Sequence, residues 1–184
     1  MTEKRERLEN VALESAQRKG LNGLSFRTLA DEVGIKSSSV HYYFPEKSDL
    51  TRTLIERYTQ NFLASVDSIA SQNWALRKKL KAFIAIFENV AVEEKLCLCG
   101  MMAAEVEQLD DGNRKLLSAF FTDTEERLVT LFTEHKDELN AELSAKVLAR
   151  SLLAGLEGAL LTDRVVGDNH RLKAQKELFM AMLK

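Results

Sequence analysis

Residues 26–47 read FRTLADEVGIKSSSVHYYFPEK, and this stretch decides the fold. A short amphipathic run ends at Gly34, a residue that tolerates the left-handed conformation in which many helices end. A second short run follows and stops at Pro45, because proline cannot continue a helix. We expect Pro45 to open the next helix near its first position, where its missing N–H costs nothing. The pattern predicts two short helices joined by a tight turn, over 26–33 and 37–43, with Ser25 and Ser37 as their N-caps.

The two predicted helices each have an apolar side and a polar side. Leu29, Ala30 and Val33 give the first helix an apolar face on which Val40 and Phe44 can pack. A helix-turn-helix needs such a brace, because its second helix presents an outer face to the major groove of DNA. Hydroxyl, imidazole and phenol groups can hydrogen-bond to base edges or phosphates. The candidate DNA-contacting residues are Arg27, Thr28, Ser37, Ser38, Ser39, His41, Tyr42, Tyr43 and Lys47.

The stretch closely resembles the N-terminal DNA-binding domain of TetR-family transcriptional repressors. The resemblance covers roughly residues 8–55 and follows the family's motif through FRTLADEVGIKSSSVHYYFPEKSDL. It implies a homodimer that binds a palindromic DNA operator, and a small-molecule effector that releases the operator by binding in the C-terminal half. Family positions that contact phosphates or bases match Thr28, Ser38, Tyr42, Tyr43 and Lys47.

The rest of the chain has the composition of a helical protein. Its 184 residues include one proline and eight glycines, and 45% are hydrophobic. Apolar spacing predicts an all-α fold of about nine helices, in which a three-helix DNA-binding head precedes a ligand-binding and dimerisation bundle. We place the head at residues 1–47 and the bundle at 48–184. The other predicted helices cover 3–19, about 46–71, 75–92, 96–107, 113–136, 141–166 and 169–183.

Net charge constrains the form that a DNA-binding surface can take. The chain carries 26 Lys and Arg against 28 Asp and Glu, a formal charge of −2. Residues 1–58 hold ten basic and nine acidic side chains, and residues 59–184 hold sixteen and nineteen. A DNA-binding face must therefore be a local patch and not a broadly basic domain.

The sequence also bears on the compartment. No apolar run approaches the ~20 residues that span a bilayer, so we expect no membrane association. The first residues, MTEKRERLENVALES, are charged and lack the apolar core of a signal peptide. We therefore expect a cytoplasmic protein.

Two long apolar helices predicted over about 141–183 are the candidate homodimer interface. A run of leucines, at 152, 153, 156, 160 and 161, exceeds what one core-facing stripe needs. Small residues at 154, 155, 158 and 159 allow close helix approach, so two helices from each subunit can form a four-helix interface. The alternative is an internal seam of the bundle.

Large, adaptable apolar side chains in the middle of the chain are the candidate effector site. Methionine and aromatic residues line sites that accept varied apolar ligands, although core packing explains most of these positions equally well. Glu105 follows an apolar run, where a carboxylate needs a partner: a ligand or a neighbouring basic side chain. The candidate ligand-binding residues are Phe62, Val66, Phe83, Phe87, Met101, Met102, Glu105 and Phe120.

Cys97 and Cys99 supply a second possible switch. They lie in LCLCGMMAAE, which resembles a subset of TetR-like regulators, some of which respond to reactive electrophiles or small molecules. Both thiols precede a helix expected to start near Gly100, and a helix N-terminus lowers a thiol pKa. The alternative function is thus a thiol-based electrophile- or oxidant-sensing repressor. Two inert buried thiols are the other interpretation.

Other classes of function find little support. C-x-C is too tight to bind a metal alone, and His135 and His170 add no ligand spacing, so we expect neither a metal site nor a cofactor. A glycine-rich phosphate loop and a nucleophile–base constellation are both missing from the sequence, so we do not expect an enzyme. A helical protein-interaction module without DNA binding is the alternative from another class.

Overall fold

The computed structural model describes residues 3–140 and 142–184, and these confirm the predicted all-α fold. Within them the chain forms nine α-helices and three short 3₁₀ helices, and the only β-pairing is an isolated antiparallel bridge between Leu139 and Leu183. The α-helices are α1 (Glu3–Lys19), α2 (Phe26–Val33), α3 (Ser37–Tyr43), α4 (Lys47–Ala70), α5 (Leu76–Val92), α6 (Leu98–Ala104), α7 (Asp111–Glu134), α8 (Ala145–Val166) and α9 (His170–Ala181).

The predicted helices are all present, and most of their ends agree within two residues. The largest differences fall at α6 and α8. The helix predicted over 96–107 ends at Ala104, and a 3₁₀ turn, Val106–Gln108, follows it. The helix predicted from residue 141 begins at Ala145, because the Ser144 hydroxyl accepts a hydrogen bond from the Val147 amide and caps it there.

The capping residues around the helix-turn-helix agree only in part with prediction. Ser25 caps α2 as expected, and Gly34 ends it with φ 74°. Ser37 was wrongly predicted as a cap: it is the first residue of α3, and Lys36 precedes it in extended conformation without a side-chain cap. Pro45 does not open α4 either. It lies two residues before that helix, whose first turn is closed by a hydrogen bond from the Glu46 amide to the Asp49 carboxylate.

The structure separates into two compact units. The first contains the chain up to Gln60 together with Leu98–Phe120, and the second contains Asn61–Cys97 together with the chain from Phe121 onward. The domain boundary drawn from the sequence, between 47 and 48, divides the chain by function and stays a prediction.

The core of the first unit supports α3 through α2. Helix α1 packs on α2, and α2 packs on α3. Each burial of a leucine or phenylalanine in this core contributes about 1.5–3 kcal/mol, so the head is held mainly by apolar contact. Among the fully or almost fully buried apolar residues of this unit are Leu8, Ala12, Ala16, Leu29, Ala30, Val33, Val40, Phe44, Leu50 and Leu54.

In the second unit, α8 packs against α5 and α9. The leucine run of α8 lies mainly in this core: four of its five leucines are buried, and Leu161 is half-buried. The glycines of α8 differ in their surroundings. A Cβ at Gly155 would lie 2.4 Å from the Gln175 side-chain oxygen, whereas one at Gly158 would meet nothing within 4 Å. Within the described residues no helix is long and apolar enough to cross a membrane.

The Asp163 carboxylate joins the end of α8 to the start of α9. It accepts hydrogen bonds from the amides of Arg171 (3.1 Å) and Leu172 (2.9 Å) and from the Arg171 guanidinium (3.1 Å). Burial alone would raise the pKa of Asp163, but these hydrogen bonds and the Arg171 charge hold that pKa below its ordinary value. The folded state therefore favours the charged form of the Asp163 carboxyl group.

Replacing Asp163 with asparagine should lower the free energy of unfolding at pH 7 by about 1–3 kcal/mol, the typical cost of weakening a buried charge-assisted network. The folded-state pKa is depressed, so the carboxylate's contribution is present above the unfolded-state pKa and is lost as pH falls through the folded-state value. Urea unfolding at pH 7 and pH 3 should show the difference between wild type and variant shrinking at low pH. The exposed Asp137→Asn is the control, and an equal difference at both pH values would contradict the interpretation.

Candidate nucleic-acid interface

Helix α3 has one anchored side and one exposed side. Val40 and Phe44 point inward and are almost completely buried against the rest of the first unit. On the opposite side the Tyr42 ring is 82% exposed, although it is a large aromatic residue. The Tyr42 phenol is therefore free to contact a partner outside the chain.

The nine candidate DNA-contacting residues lie at the start of α2, along α3 and at the start of α4. Arg27 and Thr28 are in the first turn of α2, and Lys47 is the first residue of α4. Both helix N-termini present main-chain amides that favour phosphate. Seven candidates are exposed, namely Arg27, Thr28, Ser37, Ser38, His41, Tyr42 and Lys47, and two are half-buried, Ser39 and Tyr43.

The aromatic side chains of α3 are held by contacts with their neighbours. The His41 ring packs edge-on against Phe26 with 4.9 Å between ring centroids, and its Nδ1 lies 3.4 Å from the Pro45 carbonyl oxygen. Tyr42 and Tyr43 pack edge-to-face at 5.5 Å. His41 therefore contributes to packing as well as to the exposed face, and the ring orientations on α3 are preorganised.

Polar contacts fix α1 and α4 around the buried Glu9. The Glu9 carboxylate accepts from Arg5 at 2.9 Å and lies 3.5 Å from the Arg57 guanidinium, which also binds Asn10. Arg5 in addition lies over the Phe44 ring, 5.2 Å from its centroid. These contacts join Phe44, which follows α3, to α1 directly and to α4 through Glu9.

Glu105, a candidate ligand-binding residue, has a main-chain partner within the first unit. Its Oε2 accepts a hydrogen bond of 2.6 Å from the Leu21 amide in the loop after α1. Gly20 precedes this amide with φ 63°, and a Cβ at that position would lie 2.4 Å from the same carboxylate oxygen. Only glycine gives the loop its conformation and leaves space for the carboxylate. A contact between Glu105 and an effector stays a prediction.

Asn113 supports the start of α4, and the sequence did not single it out. Its side-chain amide donates to the Ser48 carbonyl (3.1 Å) and to the Asp110 carboxylate (2.9 Å). Asp110 also accepts from the Asn113 main-chain amide at 2.8 Å and so caps α7. The aspartate three residues before Asn113 is an N-cap pattern that could have indicated this role.

The eight candidate effector-contacting residues are shared between the two units. Phe62, Val66, Phe83 and Phe87 belong to the second, where the three phenylalanines pack with ring centroids 5.8–6.2 Å apart. In the first unit, Phe120 packs on Tyr58 at 6.1 Å. All eight except Met101 and Glu105 are buried, and their role in effector binding stays a prediction. Members of the set in the first unit are Met101, Met102, Glu105 and Phe120.

Burial does not favour the thiol-sensing alternative. Cys97 is 2% exposed and Cys99 has no exposed surface. Helix α6 begins at Leu98 and not near Gly100, so Cys99 lies inside the helix and only Cys97 precedes it. Electrophiles in solution reach such thiols poorly. Among residues 3–140 and 142–184, no cluster of three or more His, Cys, Asp or Glu could hold a metal ion.

Comparisons with known proteins agree with this geometry. Residues 10–54 match the family model of bacterial regulatory proteins, tetR family. An HTH-type transcriptional regulator of Staphylococcus aureus is 24% identical over 154 residues, which cover 82% of this chain and 78% of that protein. A TetR transcriptional regulator structure from Legionella pneumophila shares 27% identity with a TM-score of 0.88, covering 100% of this chain and 99% of that one. A TetR-family regulator structure from Agrobacterium tumefaciens is 24% identical with a TM-score of 0.92, covering 98% and 97%.

The helical fold and the braced helix-turn-helix are those of a class of transcriptional regulators. The matched N-terminal segment and the full-length structural similarity together support a TetR-family regulator.

The contact between Glu105 and Leu21 can be tested by removing the carboxylate. Glu105→Ala leaves a buried amide without its partner, so we expect the free energy of unfolding to fall by about 1–3 kcal/mol. The Leu21 amide should also exchange its hydrogen at least about tenfold faster, which NMR measures directly. The matched control is Glu107→Ala in the next turn, an exposed carboxylate whose loss should cost less than about 0.5 kcal/mol. Equal effects of the two variants would contradict a supporting role for Glu105.

Proposed function

We propose that the protein is a transcriptional repressor that binds a palindromic DNA operator as a homodimer and releases it when a small molecule binds in the C-terminal part. The observation that carries the proposal is the exposed face of α3. It offers hydroxyls and a phenol on a helix whose other side is fixed in the core. Tyr42 is 82% exposed on this face, where its phenol can reach a base edge or a phosphate in the major groove.

DNA contact would combine positioning and readout. Lys47 and the N-terminal amides of α4 would hold phosphates, as would Arg27 and Thr28 in the first turn of α2. Tyr42 and the α3 hydroxyls would then meet base edges. Because the chain has a net charge of −2, the attraction is local and comes from a few cations in each subunit.

Two observations on α8 and α9 support a homodimer. Val147, Val165 and Leu178 are exposed apolar side chains, with Val165 87% exposed. Between Val147 and Val165, exposed small residues recur at three- or four-residue spacing, which places them in one stripe along the helix. Small residues let a second helix approach closely, so a partner's α8 and α9 would complete a four-helix interface. The stripe consists of Ser151, Ala154, Gly158 and Thr162.

Placing a charge in that stripe should prevent dimerisation. Ala154→Glu would bury an unpaired carboxylate in the interface, and its desolvation disfavours association. Sedimentation velocity at micromolar concentration should show a dimer for wild type and a monomer for the variant. Ala64→Glu, an exposed alanine of α4, is the control and should remain dimeric. The stripe is not the interface if Ala154→Glu sediments as wild type does.

Release by an effector would act through α4. This helix runs without a break from Lys47, a candidate phosphate contact, to Ala70, and it carries Phe62 and Val66 of the candidate effector site. A ligand that binds one conformer more tightly shifts the population toward it. Operator affinity falls if the favoured conformer no longer holds two α3 helices at the spacing of the half-sites, about one turn of DNA apart.

Selection of bound sequences from a random DNA pool tests the central claim. A palindrome with half-sites about one helical turn apart is the expected result. Tyr42→Ala should then weaken binding to the selected site by roughly tenfold, as expected for loss of a base or phosphate contact. Lys47→Ala should weaken binding to all sequences and reduce the salt dependence by about one counterion per subunit. Lys81→Ala removes the same charge from an exposed position on α5 and is the control. If the protein enriches no DNA sequence, it is not an operator-binding protein.

A further inference from the structure

The second unit contains a buried carboxylate that the fold leaves half-satisfied. Glu157 lies on α8, and although the residue as a whole keeps some accessible surface, its Oε1 is inaccessible to solvent and has no hydrogen-bond partner. The Cys97 thiol lies beside the same carboxyl group, where burial raises the pKa of Glu157 and the interaction with the thiol lowers it.

The surroundings of Glu157 on its own helix are apolar. Neighbours one turn away in either direction are Leu153 and Leu160, both buried. Cys97 meets the carboxyl group from outside α8, and its neighbour Leu96 is buried as well. Helix α8 also packs against α5. An apolar body is the ligand type that these neighbours favour.

Structural roles explain the other buried carboxylates better than they explain this one. Glu9 binds Arg5 and Arg57, and Asp163 accepts three hydrogen bonds from the start of α9. Glu157 lies beside the Cys97 thiol, a weak donor, and its Oε1 accepts no hydrogen bond. Buried acceptors without partners are rare and costly, which makes them strong candidates for contact with something that binds later.

We propose that Glu157 anchors the effector, and that the effector is a small apolar amine whose protonated nitrogen donates a hydrogen bond to Oε1. This deepens the proposed function by naming the chemical class of the released ligand, and it rests on that function only for the link to DNA. In the ionised form of Glu157, Oε1 is an acceptor, so a ligand that binds this form must donate. The group is a carboxyl and not an amide or hydroxyl, so a cationic donor gains most from it.

Protonation of Glu157 is consistent with a cationic ligand. Burial raises the pKa of Glu157 to about 7, and the hydrogen bond from Cys97 opposes that rise. Without ligand, about half of the molecules at pH 7 hold a neutral carboxyl group, which limits the cost of burying it. An ammonium group placed at Oε1 favours the carboxylate, so binding at pH 7 should release about half a proton.

The test is calorimetric titration of the full-length protein, without DNA, with phenethylamine, octylamine and 1-naphthylmethylamine, each paired with its matching alcohol. At least one amine should bind at least tenfold more tightly than its alcohol. Repeating that titration in buffers of different ionisation enthalpy should reveal release of about half a proton at pH 7. Glu157→Gln keeps the size of the side chain but removes its charge, and it should weaken the amine at least tenfold, abolish proton release and leave the alcohol unchanged.

Glu134→Gln is the matched control. Glu134 is exposed and lines a groove with Asp67, Glu126 and Arg127 in the same unit, where an amine could also bind a carboxylate. Amine binding that is lost in Glu134→Gln and kept in Glu157→Gln overturns the proposal, as does a panel in which no amine outbinds its alcohol. If Glu157→Gln fails to fold, proton release on amine binding is compared between wild type and Glu157→Asp. Release by both proteins supports Glu157 as the anchor. Absence of release overturns that assignment.

Operator affinity with and without the bound amine is then measured separately. Amine binding through Glu157 that leaves the operator bound supports the site and contradicts ligand release. Failure of the chain to select any operator contradicts the proposed function. The titrations contain no DNA, so they test the role of Glu157 in amine binding independently.

Discussion

The hydrogen bond from the Leu21 amide to the Glu105 carboxylate constrains the whole first unit. It can form only because Gly20 turns the chain with φ 63° and has no side chain to occupy the space of the carboxylate. The loop that it holds sets where α1 ends and where α2 can begin. Helix α1 supports α2, and α2 supports α3. The orientation of the exposed face of α3 therefore depends on a carboxylate that lies 84 positions away in sequence from its partner.

Three further contacts give α3 the same kind of indirect support. Asn113 holds the Ser48 carbonyl, Arg5 covers the Phe44 ring, and Arg57 ties α4 to α1 through Glu9 and Asn10. None of these contacts involves an atom that would touch DNA. A short helix such as α3 has little stability of its own, so its shape and position come from packing and from this set of tertiary contacts.

The sequence predicted what local signals can encode. Gly34 and Pro45 bracket α3, and apolar spacing in the quoted stretch identified which of its residues are buried, because a helical period of 3.6 assigns each residue to a face. Local signals placed the N-cap of α3 at Ser37, whereas Lys36 occupies that position. They also led us to expect the leucines of α8 to be more exposed than they are. Periodicity says that a face is apolar but does not say what covers it. Pairings between distant positions, such as Glu105 with Leu21 or Cys97 with Glu157, depend on how helices meet and leave no pattern in a single sequence.

The position of Ser37 as the first residue of α3, and not as its cap, has a consequence for how such proteins diverge. A capping serine contributes about 1 kcal/mol to its helix, and exchanging it would cost stability. Ser37, Ser38 and Tyr42 are instead exposed on a helix that other residues hold in place. Substitutions there change stability by no more than about 0.5 kcal/mol. The chemical character of this face can therefore be changed without loss of the fold, whereas the buried residues beneath it cannot be exchanged so freely.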